Sequence, residues 1–514
     1  MRLNILIGGK AGQGINKVSQ IVSGVLAKYG YFTFNYRDYQ SLIRGGHNFN
    51  ILSISDEWIG SHDSKLDGII ALDENTLTEH KSELKKGGFT ITEEGFKDLG
   101  MNLNVALAGA LTKILGIPEA ELDAEIKIQL KGSESQEAAK KGFESQKEKF
   151  KLKKLKNKPE IISGSEAIAK GAINSKIDLY IAYPMTPATN AMHELAKDQE
   201  KNNLRVFQAE SEISVASMAL GSSFTGAKTL IGTSGGGFDL MSETFSFQGQ
   251  GEIPLTVYLA SRPGPGTGVP TYTAQSDLDI ALRAGHGEFP RVVMAPGDPN
   301  EAIELTNQAL YLSEKFRTLS IILSDKHLAE SEFSHDKTPK EPLQIKIERN
   351  LPQKNSIVKA TSYEHDEAGN TTESAKLTEE NADARVAKYE KIKQHIENNP
   401  ENFQSIKVHG DKDSKNLIIG WGSTKGAILD AMKDLDAKFL QVLYIKPMSP
   451  QIKEEIENAD NVILVENNLT GQLGYTIREK TGIKIGNRLL KYDGRPWRSD
   501  ELNKYLKEIK TQGH

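Results

Sequence analysis

Leu3-Asn-Ile-Leu-Ile-Gly-Gly-Lys-Ala-Gly-Gln-Gly14 decides the fold class. A short apolar run leads into a glycine turn. The turn leads into Ile15, Val18, Ile21, Val22, Val25 and Leu26, which recur at helical spacing. Strand, glycine turn and helix in that order open an α/β domain, and alternations such as Phe49-Asn-Ile-Leu-Ser-Ile54 add strands. The expectation is an α/β unit with a largely parallel sheet over residues 1–150. Glycines between a strand and a helix let backbone amides approach a phosphate, although a plain tight turn uses them equally well. They do not fall at dinucleotide-fingerprint spacing, and periodicity marks no second strand that ends on an acidic residue. A nucleotide-binding dehydrogenase is therefore disfavoured. Gly9, Gly12 and Gly14 are candidate ligand-loop residues. Arg44 and His47 join them from Ser41-Leu-Ile-Arg-Gly-Gly-His47, where the alternative is a structural turn with His47 satisfied by hydrogen bonds.

Working outward, lysines crowd the segment 147–158, which ends at Pro159. Residues 151–160 read as a solvated basic linker, with a docking surface for an acidic partner as the lesser alternative. Interleaved aromatics are missing, which disfavours a nucleic-acid site. Residues 161–330 alternate helical and strand-like segments again, with apolar runs at Leu255–Leu259 and Leu319–Leu323. Residues 331–410 are polar and poorly periodic, a connector with one helix expected at Ala384–Ile396. Residues 411–514 return to α/β alternation through Leu417-Ile-Ile-Gly420, Phe439–Tyr444 and Val462–Glu466.

Composition bounds the function. A chain of 514 residues holds several domains. Its net charge of −5 argues against bulk attraction to nucleic acid or to an anionic membrane. No run approaches the roughly 20 apolar residues that span a bilayer, so a cytoplasmic location is expected. The chain has no cysteine. It therefore carries neither disulfides nor thiolate chemistry, and it cannot hold a cysteine-ligated iron–sulfur cluster.

Four segments carry candidate chemistry in the middle unit. Tyr183-Pro-Met-Thr-Pro187 follows a strand, and its prolines stiffen the loop around Thr186. Loops at the carboxyl ends of parallel strands are where open α/β folds place ligands. Glu210-Ser-Glu212 precedes a small-residue helix, and Thr233-Ser-Gly-Gly-Gly237 offers a flexible, amide-rich turn. A carboxylate buried there is costly unless protonated or paired, whereas two acids at a solvated helix start are ordinary. Arg262-Pro-Gly-Pro-Gly-Thr-Gly268 follows the strand Leu255–Ala260; a locked Arg suits capture of a carboxylate or phosphate, and a surface turn is the alternative.

Taken together these segments resemble the α subunit of the 2-oxoacid:ferredoxin oxidoreductases, in the form with a γ domain fused at its N-terminus. Gly285-His-Gly-Glu-Phe-Pro-Arg291, Leu323-Ser-Asp325 and Tyr363-Glu-His-Asp-Glu-Ala-Gly369 add to the match, which covers nearly the whole chain. The resemblance implies three α/β domains: γ-like, thiamine-diphosphate pyrimidine-type, and transketolase C-terminal-like. It implies CoA-dependent oxidative decarboxylation of a 2-oxoacid to acyl-CoA and carbon dioxide, with two electrons passed to ferredoxin. Thiamine diphosphate supplies the electron sink. The favoured substrate is 2-oxoglutarate; pyruvate or a broader range of 2-oxoacids is the alternative. The chain lacks a Gly-Asp-Gly motif followed by an Asn at metal-binding spacing. Mg2+ and a [4Fe-4S] cluster are thus expected on a separate β subunit, no metal ligand is expected on this chain, and the assembly implied is a dimer of αβ heterodimers.

By the same resemblance, Glu212 bonds the aminopyrimidine, with Glu210 as its rival, and Thr233, Ser234 and Gly235 line the cofactor. Tyr183, Pro184, Thr186 and Arg262 hold the 2-oxoacid. Two departures stand out: Ala11 replaces a common Gly, and Ser234-Gly-Gly-Gly237 replaces a Ser-Gly-Pro-Gly turn. A non-catalytic assembly scaffold is the reading from another class.

Overall fold

The computed structural model describes residues 1–40, 46–130, 132–355 and 357–512. Among these residues the chain forms two seven-stranded sheets and one five-stranded sheet. The opening motif folds as read: the strand Arg2–Lys10, a turn in which Gly12 and Gly14 take positive φ, then the helix Ile15–Lys28. Val18, Ile21, Val22, Val25 and Leu26 of that helix are fully buried against the sheet and the helix Leu103–Leu115.

The first sheet is not largely parallel. In order across it run Leu84–Thr92, Leu66–Ala71, Arg2–Lys10, His47–Ser55, Phe32–Asp38, Glu332–His335 and Glu160–Ser163. The two junctions among the first three strands are parallel and the other four are antiparallel. The connection between Phe32–Asp38 and His47–Ser55 is too short for a parallel crossover, which needs a dozen or more residues. Two of these strands lie where the sequence marks none: Glu332–His335 falls in the segment read as connector, and Glu160–Ser163 starts on the last residue of the linker. Each is only four residues long, too short for periodicity to mark, and each is stabilised by its neighbours rather than by its own pattern.

The second sheet carries the middle unit: Tyr444–Lys446, Arg291–Met294, Leu319–Asp325, Leu255–Ser261, Thr229–Thr233, Leu179–Ala182 and Arg205–Gln208. All junctions are parallel except that of Tyr444–Lys446 with Arg291–Met294. Leu255–Ser261 and Leu319–Asp325 are buried along their whole length, as expected of central strands covered by helices on both faces. The run Phe439–Tyr444, read as one strand, divides. Lys438–Val442 stays in the five-stranded C-terminal sheet, while Tyr444–Lys446 crosses to the edge of the second sheet. The helix of the polar segment is longer than expected, Ala375–Glu397, and buries only Ile392 and Ile396. The lysine-rich linker lacks helix and strand but is tied down: the amides of Lys149 and Leu152 donate to Ile114 O and Leu115 O, and that of Leu155 to Tyr29 O.

Buried polar contacts fasten the units together. Asp430 accepts from Gly60 N and Ser61 Oγ at 3.1 and 2.7 Å and pairs with Arg2 at 3.3 Å, joining the first and third units. Between the second and third, buried Glu301 pairs with Lys425 and Lys407 at 2.6 and 2.8 Å. It also accepts from Gly297 N and Gln441 Nε2. Burial alone would push this carboxyl up, but the two ammonium groups override it and hold it well below the usual carboxylate range. Replacing Glu301 by Ala leaves Lys425 buried with one partner fewer. It is expected to cost about 3–5 kcal/mol of stability in denaturant unfolding at neutral pH; a change within experimental error would show that the network contributes nothing net.

Candidate active site

Three consecutive parallel strands, Leu179–Ala182, Thr229–Thr233 and Leu255–Ser261, end at the same edge of the second sheet, and each delivers one predicted segment there. This is the carboxyl edge, where side chains from successive loops converge. Glu212 is the first residue of the helix Glu212–Phe224, whose N-cap Ser211 accepts from Ser214 N at 3.4 Å. The helix packs with small residues, Ala216 and Ala219 being fully buried, which draws its first turn inward. Glu212 is consequently 4% exposed, and its Oε1 is buried without a hydrogen-bond partner. Glu210, two residues earlier, is exposed and accepts from Ser214 Oγ at 3.3 Å. The two acids that the sequence leaves as rivals thus lie in opposite environments.

The turn Thr233–Gly237 touches Glu212 directly. A Cβ at Gly237 would stand 2.2 Å from Thr233 Oγ1 and 2.7 Å from Glu212 Oε1, so only glycine leaves room for the carboxyl. The segment is not a flexible turn. Gly235–Gly237 form the first turn of the helix Gly235–Leu240, because Phe238 is fully buried and anchors it. Thr233 and Ser234 are both fully buried; Thr233 Oγ1 donates to Ser234 O at 3.3 Å, and Ser234 Oγ is unpartnered.

Arg262 leaves the end of Leu255–Ser261 and donates from Nη1 to Thr186 O at 2.9 Å, tying the Tyr183–Pro187 loop to the neighbouring strand end. Tyr183 is exposed, while Pro184 and Thr186 are half-buried. Burial lowers the Arg262 pKa, and the Asp277 carboxylate opposes that shift.

Asp277 is the residue that sequence reasoning missed. Its Oδ2 is buried and unpartnered, and a Cβ at Gly235 would stand 2.6 Å from it. Burial pushes the Asp277 carboxyl up from 3.8 to about 6; the Ser261 and Ser276 hydroxyls counter this, Asp239 adds to it and Arg262 opposes it. Nothing local marked Asp277, since it lies beyond the Arg262–Gly268 segment and only the fold brings it back. Glu212, Thr233–Gly237, Arg262, Thr186 and Asp277 therefore form one polar cluster on one sheet edge, in which Glu212 Oε1, Asp277 Oδ2 and Ser234 Oγ lack hydrogen-bond partners.

The N-terminal candidates form a separate place. Gly12 and Gly14 line a cleft of about 430 Å³ together with Asn16, Arg37, Asn50 and Asn190. Gly9 sits behind it, packed against Gln13 and Leu72. His47 is not among the residues lining this cleft; its Nε2 faces His80 Nε2 at 3.0 Å. Arg44 lies outside the described residues.

Comparison with known proteins decides the family. Residues 170–400 match the family model described as pyruvate flavodoxin/ferredoxin oxidoreductase, thiamine diP-bdg, and residues 4–103 match pyruvate ferredoxin/flavodoxin oxidoreductase. The chain is 28% identical to the 2-oxoacid:ferredoxin oxidoreductase subunit alpha of a Sulfolobus species, over 100% of this chain and 98% of that one. The chain belongs to the 2-oxoacid:ferredoxin oxidoreductase family. It is an α subunit of that enzyme class, an oxidoreductase, with the mixed α/β multidomain architecture that the sequence implied. It is also 28% identical to the 2-oxoglutarate synthase subunit KorA of Methanocaldococcus jannaschii, over 62% of this chain and 91% of that one. A solved 2-oxoglutarate:ferredoxin oxidoreductase from Magnetococcus marinus, with 2-oxoglutarate, coenzyme A and succinyl-CoA bound, superposes with a TM-score of 0.88. That match has 25% identity and covers 99% of both chains. Among the described residues no helix is long and apolar enough to cross a membrane.

The raised pKa of Asp277 makes stability depend on pH. Folding favours its protonated form, so its contribution is fully present below about 3.8, the unfolded value, and is lost as pH rises through about 6. Asp277→Asn is expected to match the wild type below pH 4 and to become more stable by up to about 3 kcal/mol at pH 7. Denaturant unfolding across that range reads it; a gap that does not change with pH would rule out a buried, destabilised carboxylate.

Proposed function

We propose that this α chain works with a separate β subunit to decarboxylate 2-oxoglutarate oxidatively, forming succinyl-CoA and carbon dioxide and reducing ferredoxin. The observation that carries the reading is the buried, unpartnered Glu212 carboxyl, set against Thr233 and Gly237 one strand away from Arg262. An unpartnered buried carboxyl is costly on its own, and a ligand that offers it a hydrogen bond removes that cost. The aminopyrimidine of thiamine diphosphate is such a ligand, and the matched family model carries thiamine diphosphate in its description. The cofactor, when bound, supplies an electron sink for the carbon that loses carbon dioxide.

The roles of this chain's residues follow from their placement. Glu212 holds a proton between its carboxyl and the aminopyrimidine ring nitrogen. Glu210, exposed, leaves that role to Glu212. Thr233, Ser234 and Gly235 close the wall beside the ring. Arg262 already bonds the Thr186 backbone, so its remaining N–H groups are oriented for a 2-oxoacid carboxylate, with Tyr183, Pro184 and Thr186 forming the other side. The choice of 2-oxoglutarate rests on the KorA relatives and on the substrate bound in the Magnetococcus structure. The glycine-loop cleft, lined by backbone of Gly12 and Gly14 and by Arg37, suits a phosphate-bearing ligand, with coenzyme A as the co-substrate to test.

A β partner is supported by what surrounds the cluster. Ile213, Leu240, Tyr183 and Val269 lie on segments leaving the same sheet edge and are each at least 39% exposed. Exposed large apolar side chains grouped beside a polar site mark a surface that another protein covers. The chain has no cysteine, which supports assigning the iron–sulfur cluster to that partner, and the diphosphate and Mg2+ are assigned to it as well. Two αβ pairs per assembly in the cytoplasm complete the reading.

The test is anaerobic viologen reduction by the chain co-expressed with its β partner, with thiamine diphosphate, Mg2+ and coenzyme A supplied. 2-Oxoglutarate is expected to be turned over faster than pyruvate and 2-oxobutyrate, and reduction is expected to require coenzyme A. Glu212→Ala should lower kcat by about 10²–10⁴-fold with the complex intact on size exclusion. Arg262→Ala should raise the KM for the 2-oxoacid about tenfold or more. A Glu212→Ala complex with wild-type turnover, or an Arg262→Ala complex with unchanged KM, removes that residue from the site. A fully loaded complex that reduces nothing favours the scaffold reading.

A further inference from the structure

His47, displaced from the glycine-loop cleft, belongs to a different cluster. It is the first residue of the strand His47–Ser55, and its ring faces the end of the helix Glu74–His80. His47 Nε2 and His80 Nε2 stand 3.0 Å apart, and a carboxylate oxygen of Glu79 completes a set of three ligand atoms all within 4.8 Å of one another. We propose that His47, His80 and Glu79 form a binding site for a divalent transition ion of the zinc class, pinning the strand to the helix beside the glycine loop.

The donor set and its surroundings carry this. Two imidazole nitrogens and one carboxylate, with no thiolate, suit zinc and its neighbours rather than calcium or magnesium, and three protein ligands leave a fourth position for water. Zinc–nitrogen bonds of about 2.0–2.1 Å place two tetrahedral ligand atoms roughly 3.3 Å apart, a few tenths beyond the present spacing. His80 is already oriented: its Nδ1 meets Glu83 Oε2 at 3.1 Å, so Nδ1 carries the proton and the Nε2 lone pair points at the centre. A carboxylate on the far nitrogen of a ligating His is the usual device for fixing its tautomer. Phe49 packs against both rings, at 5.8 Å from His47 and 4.7 Å from His80, and keeps one side dry. His47 Nδ1 is buried without a partner, so this ring is not fully satisfied by its bond to His80. Glu79 is exposed, and its hydrogen bond from Asn75 Nδ2 to Oε1, at 2.6 Å, is a contact that a bound ion would compete with. Gly8 makes room for the arrangement: a Cβ there would stand 3.0 Å from His47 Cε1 and 2.6 Å from Thr76 Cγ2.

The competing arrangement is a plain hydrogen bond between two neutral imidazoles, and metal titration separates the two. The full-length chain, stripped with a chelator, would be titrated with Zn2+ against a chromophoric competitor, and with Co2+ while its visible spectrum is followed. The expected result is one tight equivalent per chain, with Co2+ bands of four- or five-coordinate geometry. Glu79→Gln alters an exposed side chain and is expected to keep the fold by circular dichroism while weakening Zn2+ binding at least tenfold. Glu83→Gln should weaken it by about tenfold or more through the orientation of His80. His80→Ala should remove the tight equivalent and the Co2+ bands. Bound Zn2+ should raise the melting temperature of the wild type and not that of His80→Ala. Absence of a stoichiometric equivalent in the wild type overturns the proposal, and so does unchanged affinity in Glu79→Gln or His80→Ala.

Discussion

The backbone ladder of Glu332–His335 holds the molecule in its working arrangement. This four-residue strand bonds to Phe32–Asp38 on one side and to Glu160–Ser163 on the other. The short helix Lys326–Glu330 joins it to Leu319–Asp325, the strand beside the candidate active site in the second sheet. One covalent stretch therefore belongs to two sheets, and the middle unit cannot rotate against the first without breaking main-chain hydrogen bonds. Tyr444–Lys446 repeats the device at one edge of the second sheet, fixing the C-terminal unit. Side chains reinforce the joint: Lys326, fully buried, donates to Arg37 O and pairs with Glu330 at 3.7 Å, while Tyr39 donates to Glu330 at 2.8 Å.

Rigidity of this kind suits the chemistry assigned to the site. The cluster around Glu212 contains buried oxygens without partners, and each raises the free energy of the chain standing alone. Such groups persist only where the surrounding structure fixes them and a ligand later satisfies them. Glu212 is fixed by the small-residue helix behind it and by the Gly237 vacancy in front of it. Asp277 is fixed from the far side by the helix Leu278–Arg283, whose first amide donates to Gln472 of the C-terminal unit at 3.1 Å. The third unit thus reaches the site by supporting the residue that faces Arg262.

Much of this was legible in the chain. The strand and helix of Leu3–Leu26, the buried central strands and the order of the Tyr183, Glu212, Thr233 and Arg262 segments all follow from periodicity, glycine placement and motif order. Short edge strands were not legible. Glu160–Ser163 and Glu332–His335 are stabilised by neighbours more than a hundred residues away, and a four-residue polar strand has no periodicity of its own. Nor could one apolar run, Phe439–Tyr444, announce that its last residue would leave for another sheet.

Residue type and local spacing are enough to fix the α/β class, the family resemblance, the absence of cysteine and the segments that supply the candidate site. The family resemblance favours Glu212 over Glu210, and the tertiary structure adds that the first is buried and the second exposed. The packed chain alone brought Asp277 to the same cluster and turned His47 away from the glycine loop toward His80. Those outcomes depend on which surfaces lose water on folding, and desolvation is a property of the packed chain rather than of any stretch of it.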